Sequence, residues 1–237
     1  MFSKPTSHPN RTTRNRALMT LALVILIALP ASAGTIVGTV KLAGTPPEAS
    51  TIAIEQDTAA CGTSKETGSL SLGADQALQW AVVQVADLGG ATTSAEPAKL
   101  DQTGCEFVPR VVIARPGEEI AILNSDGILH NVHTYSEENA VMNMAQPGFV
   151  QTIPVTFEHA EAIKVTCDVH GWMTGWIVVS DKKHVAVTDE SGAFTLENVP
   201  AGTHQLTVWH ETLGEQTQEV TVQDGQETTV SFELAAQ

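Results

Sequence analysis

The sequence predicts an all-β protein of short strands packed as sandwiches or barrels. Three observations predict it. Apolar residues recur with period two, turn-forming residues interrupt them roughly every eight to twelve positions, and no stretch after residue 34 reads as a long amphipathic helix. In chain order, Ile120 and Ile122 alternate with Ala121 and Leu123, Ile153, Val155 and Phe157 share one parity, and so, in a later run, do Ile163, Val165 and Cys167. Leu206 with Val208, Val220 with Val222, and Val230 with Phe232 and Leu234 repeat the pattern. Between these runs stand Arg115-Pro116-Gly117-Glu118, Asn124-Ser125-Asp126-Gly127, Gln146-Pro147-Gly148, Glu190-Ser191-Gly192, Pro200-Ala201-Gly202 and Asp224-Gly225, all turn-forming. The small, polar stretch Gly89 to Lys99 reads as an exposed loop.

Residues 1–33 read as a secretory signal peptide. Lys4, Arg11, Arg14 and Arg16 occur with no acidic residue, an apolar run follows from Ala17 to Pro30, and Ala31-Ser32-Ala33 closes it. The run is shorter than the roughly 20 residues needed to span a bilayer, and no Cys follows the cleavage site to take a lipid. The expectation is therefore a periplasmic or secreted protein without membrane insertion after cleavage. The leader holds four of the 12 Lys and Arg residues and none of the 27 acidic ones, so the exported part carries 8 minus 27, or −19. Such a surface repels nucleic acid and attracts a basic protein partner at low salt.

Cys61, Cys105 and Cys167 all lie beyond the leader, where disulfides are permitted. An odd number leaves at least one thiol for another task. Cys61 and Cys105 both sit beside Gly in turn-like sequence and are expected to pair. The plainer alternative is three buried small hydrophobes.

Two segments carry the chemistry. In "NSDGILHNVHTY" His130 enters a strand after a turn, and in "IKVTCDVHGWMTGWIVV" Cys167, His170 and Met173 share one short loop. The parity of Ile163, Val165 and Cys167 points the thiol to the core face. Two imidazoles and a thiolate, with a weak thioether above them, suit copper: the soft sulfurs stabilise Cu(I) and the imidazoles hold Cu(II). His130, 37 residues before Cys167, must then reach the loop through folding.

"HNVH" followed by Cys-x-x-His-x-x-Met resembles the amicyanin and plastocyanin branch of the cupredoxins, over roughly Phe107 to Ser180. The resemblance implies an eight-stranded Greek-key sandwich with copper near one end. It makes His130 and His170 the imidazole ligands, Cys167 the thiolate and Met173 the axial ligand, with Asn131 steadying the thiolate loop. Where that branch usually has Pro between Cys and His, this chain has Asp168-Val169. A carboxylate beside the thiolate would lower the reduction potential by favouring Cu(II). His133 is the rival to His130, but three positions apart on a strand the two face opposite sides. Met173 as core filler, and Met142 with Met144 as a second thioether contact, remain open. Trp172 and Trp176 read as packing residues, and His159, His184, His204 and His210 have no ligand spacing.

The last fifty residues, through Thr188-Asp189-Glu190-Ser191-Gly192-Ala193-Phe194 and Val199-Pro200-Ala201-Gly202, resemble the transthyretin-like module called the carboxypeptidase regulatory-like domain. That module normally opens with a strand like Gly34 to Ala49, which implies one small β-sandwich split by an inserted domain. The chain then divides into a signal peptide (1–33), N-terminal strands of the regulatory-like sandwich (34–60) and a β-rich connecting region (61–104). A cupredoxin-like copper domain (105–181) and the regulatory-like sandwich (182–237) follow. The resemblance implies no peptidase, and nothing pairs carboxylates for acid/base catalysis. The expected function is an exported type 1 (blue) copper protein, not an enzyme, carrying single electrons to or from a redox protein such as a c-type cytochrome or copper oxidase. The alternatives are a copper chaperone, buffer or sensor, and a structural zinc site on the same residues.

Overall fold

The computed structural model describes residues 1–4, 33–68, 70–91 and 96–235. The stretch expected to be a signal peptide lies almost wholly outside the described residues, as does the middle of the loop at 89–99. No helix among the described residues is long and apolar enough to cross a membrane.

The strands run β1 (Ala33–Ala43), β2 (Ser50–Ala53), β3 (Ser64–Thr67), β4 (Val82–Val85), β5 (Ala98–Thr103) and β6 (Glu106–Val108). Next come β7 (Val111–Ala114), β8 (Glu119–Asn124), β9 (His130–Tyr135), β10 (Asn143–Gln146), β11 (Thr152–Thr156) and β12 (Glu161–Thr166). The last are β13 (Thr174–Val179), β14 (Val185–Val187), β15 (Ala193–Pro200), β16 (Gly202–His210), β17 (Gly214–Val222) and β18 (Glu227–Ala235). A helical turn, α1 (Thr58–Cys61), lies between β2 and β3.

One sandwich packs the sheet β15-β1-β18 against β14-β4-β16-β17. Period-two alternation sends Ile36, Val40 and Leu42 of β1, Phe194 and Leu196 of β15, Leu206 and Val208 of β16, and Phe232 and Leu234 of β18 into its core. On β1 the inward position between Ile36 and Val40 is Gly38, where a Cβ would come within 2.3 Å of the Val230 carbonyl oxygen and 2.6 Å of the Phe194 ring. A glycine lets that ring close the layer. β1 pairs in parallel with β18 from Thr35↔Glu227 to Ala43↔Ala235, so the first and last described strands build this sandwich together. The second sandwich is inserted between them.

That second sandwich packs the sheet β10-β9-β12-β13-β7 against β11-β8-β5-β6. Its core holds Leu100, Phe107, Ile120, Ile122, Val132, Ile163, Val165 and Ile177, together with Ile54 and the Cys61–Cys105 disulfide. The stretch 61–104 is therefore no separate connecting region. β4 pairs with β16 in the first sandwich, and β5 pairs with β8 in the second.

The two sandwiches meet through strands that are apolar on both faces. β7 sends Val112 and Ala114 into the second core and Val111 and Ile113 outward, and β13 likewise divides Ile177 and Val179 from Trp176 and Val178. The outward residues pack on Val82, Val185, Val187 and Trp209. Trp176 and Trp209 stand edge to face at 5.1 Å. Arg110 Nε donates to Glu211 Oε1 at 2.5 Å, and the Trp176 indole N–H donates to the same carboxylate.

Candidate metal centre

Backbone pairing brings the two chemical segments together. β9 pairs with β12 through Thr166↔His133 and Val165↔Thr134, which sets the start of β9 beside the loop leaving β12. That loop, Cys167 to Met173, is closed by Met173 N–H donating to the His170 carbonyl at 2.9 Å and by Cys167 N–H donating to the Met173 carbonyl at 3.4 Å. Asn131 clamps it: its backbone N–H donates to Cys167 Sγ at 3.3 Å, and its Oδ1 accepts from Asp168 N–H at 3.2 Å.

The result is a buried donor cluster. His130 and His170 are fully buried, and Cys167 is 1% exposed. Cys167 Sγ lies 3.9 Å from His130 Nδ1 and 3.7 Å from His170 Nδ1, and the two Nδ1 atoms are 3.0 Å apart. Met173, 1% exposed, lies in the same core. His133 points elsewhere: its Nδ1 meets the Asp168 carboxylate at 3.0 Å, and its ring stacks on Tyr135 at 4.4 Å. Hydrogen bonds from His133 and then Asn143 hold the Asp168 carboxyl below its usual pKa range. Met142 packs against the core and Met144 is exposed. The Trp172 ring lies tilted beside His170, centroids 5.2 Å apart, and donates its indole N–H to the Cys105 carbonyl at 3.1 Å.

Two carboxylates complete the cluster, and neither stood out in the sequence. His130 Nε2 donates to Asp126 Oδ2 at 2.8 Å, and His170 Nε2 donates to Asp57 Oδ2 at 3.2 Å. A proton held on each Nε2 leaves each Nδ1 with its lone pair facing the other ring and the sulfur. Two buried lone pairs 3.0 Å apart repel unless a cation or shared proton lies between them. A soft sulfur beside paired imidazoles is a donor set for a transition metal, and the residues present fit one. Burial pushes the His130 pKa down, and the Asp126 hydrogen bond only partly offsets it.

Asp126 is rigidly held. Its Oδ1 accepts from Gly104 N–H at 2.6 Å and its Oδ2 from Cys105 N–H at 2.8 Å. The turn that carries it is braced by buried amides: Asn124 Nδ2 donates to the Ile128 and Gln146 carbonyls at 2.8 and 3.1 Å, and Gln102 Nε2 donates to Gln146 Oε1 at 2.6 Å. A Cβ on Gly148 would lie 1.9 Å from the Gly127 carbonyl oxygen, so the two turns touch backbone to backbone.

Residues 176–235 match the family model of the carboxypeptidase regulatory-like domain. The match begins inside β13, which the fold assigns to the other sandwich. No curated protein matches the chain. Among solved structures, the chain is similar to the purple cupredoxin from Nitrosopumilus maritimus, at 21% identity over 35% of this chain and 99% of that one, with a TM-score of 0.30. Amicyanin from Paracoccus versutus matches at 19% identity over 41% of this chain and 97% of that one, with a TM-score of 0.33. The copper-containing nitrite reductase from Thermus scotoductus SA-01 matches at 19% identity over 41% of this chain and 25% of that one, with a TM-score of 0.32.

Proposed function

We propose that the protein is an exported type 1 copper protein that carries single electrons between redox partners. The observation that carries this reading is the pair of buried imidazole Nδ1 atoms 3.0 Å apart, with Cys167 Sγ at 3.7 and 3.9 Å. His130, His170 and Cys167 would hold the metal, and Met173 would add a thioether sulfur. Copper bound there supplies the Cu(II)/Cu(I) couple. The chain supplies a fixed frame: Asn131 N–H stabilises sulfur in its thiolate form, and the carboxylates of Asp126 and Asp57 hold the rings in place. Four donors leave no open position for a substrate, which argues against turnover at the metal. The acidic surface favours a basic redox partner such as a c-type cytochrome or copper oxidase.

Adding Cu(II) to the purified protein tests the reading. The expected result is an intense blue thiolate-to-copper band and a reversible one-electron wave, both lost in Cys167→Ser. A colourless, redox-silent protein would contradict it and favour zinc.

A second reading, copper handling without electron carriage, draws on the complete burial of His170 beneath Asp57. A covered ring edge lengthens the path from metal to partner and slows electron exchange. Rapid exchange with a cytochrome supports the carrier; release of Cu(I) to a competing copper protein supports the handler.

A further inference from the structure

The segment from Ile54 to Gly62 belongs to neither sheet of the second sandwich, yet it reaches the donor cluster at three points. Its Asp57 carboxylate accepts from His170 Nε2 at 3.2 Å. Gln56 Nε2 donates to the Val169 carbonyl at 3.0 Å, inside the Cys167 to Met173 loop. Cys61 is bonded to Cys105, and both sulfurs lie within 4.8 Å of a His170 ring nitrogen. These contacts share one small turn. Asp57 has left-handed backbone, with φ 53, and its carbonyl accepts from Ala60 N–H and Cys61 N–H at 2.9 Å each. The turn that presents the carboxylate to the imidazole therefore also places the sulfur in the disulfide.

We propose that this segment is a cover belonging to the metal centre, in which Asp57 is a positioning residue for His170 and the Cys61–Cys105 disulfide is the clasp. The proposal rests on the copper reading above. A carboxylate on Nε2 fixes the tautomer and orientation of the ring and makes its Nδ1 a stronger donor, which favours the more highly charged Cu(II). Asp126 does this for His130 from within the sandwich, locked by the N–H groups of Gly104 and Cys105. Asp57 instead depends on a segment whose cross-link can be undone. An external dithiol that delivers two electrons and two protons to the two sulfurs, closing its own disulfide, opens the clasp and leaves Asp57 chemically unchanged. Opening the clasp should therefore mimic the loss of the carboxylate.

The test uses the full exported chain and Cu(II) alone, reading the dissociation constant and the reduction potential. Asp57→Ala should weaken Cu(II) binding about tenfold or more, the usual size for a ligand's hydrogen-bonded carboxylate, and raise the potential. Asp57→Asn keeps an acceptor oxygen without the charge, so the potential should still rise while most of the affinity returns. The double variant Cys61→Ser with Cys105→Ser should resemble Asp57→Ala, and adding Asp57→Ala to it should change little further. Unchanged affinity and potential in Asp57→Ala, or effects that simply add, would overturn the cover. If circular dichroism shows that the double-serine protein does not fold, Asp57→Ala and Asp57→Asn decide alone. Wild-type protein that never turns blue overturns the copper reading itself, whereas blue wild-type protein with unaltered variants overturns only the cover.

Discussion

His130 and His133 stand three positions apart on β9 and end in different chemistry, because the pleat sends one into the core and the other to the surface. The His130 side chain is fully buried, while that of His133 is 23% exposed beside Asp168. His130→Gln should therefore abolish the thiolate-to-copper band, and His133→Gln should leave it in place; the reverse pattern in visible spectra would make His133 the donor. Asp168→Asn should raise the reduction potential, measured by voltammetry, and no change would remove any electrostatic role for that carboxylate. Cys167 and His170 stood out in the sequence because residue type, strand parity and loop spacing are local properties, whereas the parts of His130 and Asn131 came from the resemblance to the cupredoxins. Asp126 was legible only as part of a turn, although it stands four positions before His130. Asp57 lies 113 residues from His170, and no local pattern connects them. Only the folded path of the Ile54 to Gly62 segment brings them together.

At the scale of elements, period-two alternation was enough to find most of the strands. It did not reveal how they are shared between the sandwiches, because a run such as Val111-Val112-Ile113 reads as a strand whichever neighbour covers it. Apolar residues on both parities were the available signal that β7 and β13 are buried on two sides. The split of residues 61–104 between the two sandwiches was hidden for the same reason: β4 and β5 are ordinary short strands whose partners lie far along the chain. The layer around Trp176 and Trp209 makes the two sandwiches one mechanical unit. Trp176→Ala removes a large side chain and one of the two donors to the Glu211 carboxylate, and should cost about 3 kcal/mol. Calorimetry should show one transition for the wild type and two separated ones for the variant. A single transition in both would mean the contact does not couple the sandwiches.

For the molecule as a whole, charge and burial set the response to pH. Burial pushes the pKa values of His184 and His210 down, while His204, despite its own burial, is raised by hydrogen bonds with Asp87 and the Pro200 carbonyl. Below about pH 6.5 the unfolded chain binds protons at His184 and His210 that the folded chain refuses, so stability falls on acidification. His204 works the other way: its contribution is present below that pH and fades as pH rises through its raised pKa. With His130, His184 and His210 against His204, the metal-free protein should melt at a lower temperature at about pH 5.5 than at about pH 7.5, and His184→Gln with His210→Gln should reduce the difference. An equal pH slope in that variant would contradict the assignment. The charge of −19 on the expected exported part predicts that exchange with the proposed basic redox partner slows as salt is added. In the proposed function, folding gathers a sulfur and two ring nitrogens about a single ion. X-ray absorption at the copper edge of the loaded protein tests it most directly. The expected shell is two nitrogen neighbours and one close sulfur, with the sulfur missing in Cys167→Ser; a copper shell of nitrogen and oxygen alone in the wild type would rule the site out.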